Sequence, residues 1–206
     1  RLDPTGEPVL PGDGGLVELR PGDRHMWVQQ EGVAVEGRWQ DGRETRWVTG
    51  TGFVKHQWGR LYNDDLDGFQ WFSFDLVGGG GLSIAWLAAD GMLGVEGSRA
   101  MLTTSGGEIV EIPVSQLKIT PTRTWTSRRS GSPWPVAWRI EGAGLDLEIE
   151  AGRDDQELWT FPAPVYAGPA RVRGTLLGEA IDLPAFIEQA GAKRPFGRAL
   201  FHSRAP

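Results

Sequence analysis

The sequence predicts an all-β fold, and three observations carry that prediction. Turn formers recur roughly every 8 to 12 residues and separate short runs of β-prone side chains. Leu145, Leu147 and Ile149 alternate with Asp146, Glu148 and Glu150, the pattern of a strand with one packed and one wet face. Helix signals are confined to 184–190, where Asp182 is a candidate cap, Pro184 a start and Gly191 a stop. The 30 glycines and 14 prolines among 206 residues agree with this reading. A chain of this length buries roughly 70% of its unfolded surface, so a substantial core is expected.

In chain order, strands are predicted over 26–29, 33–38, 46–58, 69–75, 82–87, 100–104, 109–112, 116–120, 136–140, 145–150 and 171–177. The segment 69–75 is unusual because Phe69 and Trp71 lie on one side and Phe72 and Phe74 on the other. Both faces must be covered, as in a barrel wall shared with a second domain or lining a cavity. The glycines at 78–81 read as a hairpin tip and lack the strand-then-helix context of a phosphate loop. The tail 193–206 interleaves Lys193, Arg194, Arg198 and Arg204 with Phe196 and Phe201, and it is expected to dock on the body.

Composition excludes several classes of function. A net charge of −6, with 21 Lys+Arg against 27 Asp+Glu and no basic run, is the wrong footprint for nucleic acid. No apolar run approaches the ~20 residues of a membrane helix. The absence of cysteine removes disulfides, thiolate catalysis and Cys-ligated metal centres. Three scattered histidines offer no metal-ligand spacing, and no Gly-x-Ser-x-Gly elbow occurs. The chain begins at Arg1 with no signal segment, so a processed or partial chain and a cytoplasmic location are the expectations.

Candidate chemistry lies in one predicted strand. Extended backbone sends Val54, His56 and Trp58 one way and Phe53, Lys55 and Gln57 the other. His56 and Trp58 then share a wall, with His56 either a hydrogen-bonded core residue or a catalyst. Lys55 reads first as an outward, solvated lysine. Trp58, Trp71, Phe72, Phe74 and Trp86 fall on three successive strands and are expected to surround one volume.

Four stretches together resemble the lipocalin-like family of carotenoid 1,2-hydratase (hydroxyneurosporene synthase), AttH-type proteins and the decalin-forming Diels–Alderases. They are Val48, Thr49 and Gly50 with His56 to Gly59; Gly68 to Ser73; Trp125, Thr126 and Ser127 with Gly131, Trp134, Pro135 and Trp138; and Asp155 to Leu158 with Tyr166, Ala167 and Gly168. Their order and spacing match the carboxy-terminal half of that family. The resemblance implies a lipocalin-like antiparallel β-barrel over 47–190, the last strands of an incomplete amino-terminal β domain over 1–46 and a tail over 191–206. It implies a missing amino-terminal segment, present as another fragment or subunit that covers an open sheet edge.

For the hydratases the resemblance implies an acid and a tyrosine on the strand after the Trp-Phe-Ser strand. Here that run is Leu82, Ser83, Ile84, Ala85 and Trp86, which cannot protonate an isolated alkene. Asp64, Asp65, Asp67 and Asp90 are the substitutes available, all in apparent turns. The leading expectation is therefore a cofactor-independent cyclase that folds a hydrophobic polyene or polyketide for [4+2] or related ring closure. His56 and Trp58 are its expected catalytic pair, with Lys55, Gln57, Trp71, Phe72, Phe74 and Trp86 contacting substrate. A polyene hydratase or isomerase and a non-catalytic carrier of a lipid or pigment are the alternatives.

Overall fold

In the computed structural model the described residues are 1–4, 6–20, 23–59, 66–89, 92–93, 97–160 and 164–191. The strands are β1 (Leu2–Pro4), β2 (Leu16–Arg20), β3 (Asp23–Asp41), β4 (Glu44–Gly59), β5 (Leu66–Asp75), β6 (Gly81–Ala89), β7 (Met92–Leu93), β8 (Arg99–Thr103) and β9 (Ile109–Ile112). One 3-10 turn, Val114–Gln116, leads into β10 (Lys118–Thr126), β11 (Pro133–Gly142), β12 (Leu145–Ala151), β13 (Glu157–Leu158), β14 (Val165–Leu176) and β15 (Glu179–Ala190). Two antiparallel sheets result. In the first, β4 runs along one edge of β3 while β1 and β2 share the other. The second orders its main strands β10-β11-β12-β14-β15-β5-β6-β8-β9.

The second sheet curls into a half-barrel. Phe72 of β5 meets Trp138 of β11 edge-on at 5.1 Å, across the interior, although β12, β14 and β15 lie between them in the sheet. Gln189 Nε2 donates to the Pro135 carbonyl over the same gap at 2.7 Å. Leu82, Ile84, Val136, Ile140, Leu147 and Val172 fill the core. On β12 the predicted alternation holds at every position, with Leu145, Leu147 and Ile149 buried and Asp146, Glu148 and Glu150 exposed.

The last two motif stretches form a clasp on this barrel. Glu157 accepts from Trp134 Nε1 at 3.2 Å and from Ser127 Oγ. Tyr166 Oη donates to the Arg153 carbonyl at 3.0 Å, and Gln156 Nε2 donates to Tyr166 Oη and the Pro169 carbonyl. A Cβ at Gly168 would lie 2.2 Å from Gln156 Oε1, so only glycine admits that amide. These residues specify a fold.

Both faces of β5 are covered, as its composition requires. Phe72 and Phe74 enter the barrel core. On the other face Trp71 packs against Phe53 of β4 at 5.0 Å, and Phe53 meets Phe186 of β15 at 5.3 Å. Val17, Trp27 and Met101 join the sheets nearby, with Ala85 and Ile109 against them. The first sheet therefore lies on the outer face of the half-barrel.

Two expectations change. The predicted helix over 184–190 is strand β15. Ile187 and Gln189 are buried on the barrel side while Phe186 and Glu188 point to the first sheet. Period-two burial with partners on both edges outweighs the helix signals. Pro184 is tolerated because β5 begins to pair with β15 only at Phe186, so its missing N–H removes no bond on that edge. The sheets, moreover, divide between Gly59 and Leu66 rather than near residue 46, since β4 pairs with β3 from Glu44 to Gly59. The tail beyond Gly191 and the acids Asp64, Asp65 and Asp90 lie outside the described residues, and Asp67 is half-buried. Among the described residues no helix is long and apolar enough to cross a membrane.

Candidate active site

The seam between the sheets holds a half-open cavity of about 130 Å³ lined by His25, Trp27, Lys55, Gln57, Phe69, Trp71, Ala85, Leu87, Gly97 and Glu188. Alternation explains its walls. Trp27 pairs with Gln57 and Gln29 with Lys55 across β3 and β4, so these four side chains share the face that meets the second sheet. Trp71 and Glu188 are directly paired on β5 and β15 and share the facing surface.

A polar bridge crosses the seam between β4 and β15. Lys55 Nζ lies 2.8 Å from Glu188 Oε2 and 3.9 Å from the centre of the Trp71 ring. The Lys55 and Glu188 side chains are 20% and 28% exposed, so the pair is partly shielded and the cation–π contact reinforces it. Trp71 is fixed from behind, its Nε1 donating to Ser83 Oγ at 2.9 Å.

The inward face of β3 is rich in unmet hydrogen-bonding capacity. His25 Nδ1, Trp27 Nε1, Gln29 Oε1 and Glu31 Oε2 are all buried without a partner, and they occupy four successive inward positions. Buried polar atoms are ordinarily paired, so a run of four along one strand face gives the seam donors and acceptors that a ligand or water can meet. Burial, then the nearby Arg99 guanidinium, pushes the His25 pKa below its ordinary value, which leaves a neutral imidazole at pH 7.

The expected site residues separate. Lys55, Gln57 and Trp71 line the seam cavity. Lys55 is thereby corrected from an outward lysine to a seam residue, because its strand docks by the Phe53 face. His56 and Trp58 meet at 4.8 Å with tilted rings on the opposite face of β4, where Trp58 is 44% and neighbouring Val54 42% exposed. Phe72, Phe74 and Trp86 point into the barrel core. The single aromatic volume drawn from three strands is therefore two volumes and an open face. Period two on β5 puts Trp71 opposite Phe72 and Phe74, and period two on β6 puts Trp86 with the latter.

Sequence reasoning missed the other lining residues, His25, Trp27, Phe69 and Glu188 among them. A readable signal existed for β3, where His25, Trp27, Gln29 and Glu31 alternate on one face; for Glu188 the helix assignment hid it. A second hollow of about 330 Å³ lies on the half-barrel's outer face among Arg123, Arg139, Glu148, Glu150 and Arg171. Its charges pair with one another or with Asp146, Asp154 and Asp182, which describes a solvated sheet face rather than a site.

Fold and seam together define a lipocalin-like β protein with a small, aromatic-walled cavity between two sheets. A family model described as AttH-like matches residues 1–188, and the chain belongs to that family. Among solved structures it is similar to a putative AttH from Nitrosomonas europaea, with a TM-score of 0.81, 24% identity and 93% of this chain covered. It is also similar to kievitone hydratase from Nectria haematococca, with a TM-score of 0.74, 19% identity and 89% covered. The chain spans 60% and 57% of the length of those two proteins. No curated protein matches it.

Proposed function

We propose that this chain carries a cofactor-independent active site in the seam, acting on a small, largely apolar molecule with a double bond conjugated to a carbonyl, and that addition of water is its reaction. The observation that carries this reading is the Lys55–Glu188 pair seated on Trp71 in the wall of the cavity. A conjugated plane stacks among Trp27, Phe69 and Trp71. Lys55 faces the carbonyl oxygen, where negative charge grows as the nucleophile adds. The Glu188 carboxylate takes a proton from water while the water oxygen bonds to the β-carbon. The π electrons move onto the carbonyl oxygen beside Lys55, and the proton held on Glu188 then passes to the α-carbon. Water is added in full, with no redox change.

This route avoids the strong neutral acid that an isolated alkene demands. The name of the hydratase among the similar structures and the AttH-like family agree with it. Ring closure of a folded polyene or polyketide is the second reading, favoured by the same aromatic walls. It needs a longer chain bent back on itself, with most of that chain outside the half-open cavity of about 130 Å³.

The test is incubation with 4-phenylbut-3-en-2-one and with longer polyene ketones, followed by product mass. A gain of one water supports hydration, an isomass product supports cyclisation or isomerisation, and tight binding without change supports a carrier. Glu188→Gln should lower kcat about 100-fold with little change in KM. Lys55→Ala should lower kcat and raise KM. His56→Ala should leave both unchanged; a large loss there would return the site to the open face of β4.

A further inference from the structure

We propose that Glu31 is a proton-bearing latch: as a neutral carboxylic acid it closes the seam between the sheets, and loss of its proton loosens that closure. The inference stands independently of what the cavity binds. Glu31 lies on β3 at the bulge where pairing with β4 slips between Gln30 and Val33. It is 8% exposed. Its Oε1 accepts from Gln29 Nε2 at 2.8 Å, whereas its Oε2 has no partner.

That orphan oxygen is aimed across the seam. A Cβ at Gly81 of β6 would lie 2.7 Å from Glu31 Oε2 and 2.8 Å from the Phe74 carbonyl oxygen of β5, so the glycine is what lets the carboxyl lie against the second sheet. An ionised carboxyl offers that orphan oxygen only as an acceptor, whereas a neutral carboxyl offers it as an O–H donor. The charged neighbour from β5 is Asp75, which accepts the backbone N–H of Gly32 and is therefore tied to the same bulge. Gln29 on the same strand and Gly81 opposite carry no charge. An ionised Glu31 would be a second buried anion beside Asp75 with no counter-ion among these groups. Burial foremost, and Asp75 in the same direction, raise the Glu31 pKa from 4.5 to about 7 against the Gln29 hydrogen bond.

The sign follows from the raised value. Below the ordinary 4.5 the acid is neutral folded and unfolded, and it imposes no penalty. As pH rises toward 7 the unfolded chain gains by ionising and the folded chain does not, so stability falls; above 7 the penalty is constant. His25 on the same face acts oppositely, because its lowered pKa costs stability as pH falls below 6.5. The wild-type profile therefore mixes the two, and the difference between Glu31→Gln and wild type isolates the latch.

The test is the thermal midpoint of the full chain and of Glu31→Gln from pH 4.5 to 8.5. A glutamine keeps the shape and supplies an N–H donor without a charge. The expected midpoint difference is near zero at pH 4.5 and grows to on the order of 5 °C in favour of Glu31→Gln above pH 7. A difference independent of pH, or one that shrinks as pH rises, overturns the proposal. Should the variant fail to fold, infrared difference spectra of the wild type decide. A protonated carboxyl band still present at pH 6 that bleaches near pH 7 upholds the latch, and no such band contradicts it.

Discussion

Strands β5 and β6 look onto two interiors of opposite character. On the barrel side they present Phe72, Phe74, Leu82, Ile84 and Trp86 to an apolar core. On the seam side they present Trp71, Ser73, Ser83 and Ala85 to a facing strand that carries His25, Gln29 and Glu31. Unpaired buried polar atoms are scattered on the barrel side, at Trp86 Nε1, Trp138 Nε1 and Gln156 Oε1, whereas at the seam they fall on four successive inward positions of one strand, His25, Trp27, Gln29 and Glu31. One backbone thus supports a core selected for packing and a second interior that keeps polar groups at a cost in stability. Such a cost is retained where chemistry or binding needs it.

The comparison breaks most readily in the barrel. Trp138→Ala should destabilise by about 3–5 kcal/mol in chemical denaturation, as expected for a large side chain deleted from a packed core. If Trp71→Ala costs as much, the seam is a second structural core and the contrast fails. Ser83→Ala sharpens the seam side. It strips the acceptor from Trp71 Nε1 and should cost about 1–3 kcal/mol, with weaker binding of aryl ketones measured by titration.

His25 tests the polarity of the seam through pH. Its lowered pKa means that the unfolded state takes up a proton first as pH falls below 6.5, so stability is lost on that limb. His25→Gln should flatten the acid limb of the midpoint-against-pH curve; an unchanged limb would show that His25 is not the group responsible. Least of all, Glu148→Asp on the wet face of β12 should stay within about 0.5 kcal/mol of wild type. A larger loss would mean that this outer face is packed rather than solvated.

The barrel was the more legible region because a sheet buried on one face writes its burial directly into the sequence. Leu145 to Glu150 reads off as a strand, and Phe69 to Phe74 announces two covered faces. The seam was half legible. The alternation of Phe53, Lys55 and Gln57 against Val54, His56 and Trp58 is visible, but nothing local says which set faces inward. That choice is made by Trp27, Trp71 and Phe186 from other strands, and the apolar partners of His56 favoured the set that faces away from the seam. Glu188 was hidden because Pro184 and Gly191 imitate helix boundaries, while β15's pairing with β14 and β5 is a long-range fact. The motif residues around Trp134, Glu157 and Tyr166 pointed to a family correctly for a structural reason, since they clasp the barrel and touch no part of the cavity.

A crystal structure of the chain with 4-phenylbut-3-en-2-one bound tests the seam assignment most directly. The account predicts ligand density between the sheets, the aromatic ring against Trp71 and the carbonyl oxygen within hydrogen-bonding distance of Lys55 Nζ. Density inside the barrel beside Trp86 and Trp138, or on the open face of β4 beside His56 and Trp58, would contradict it.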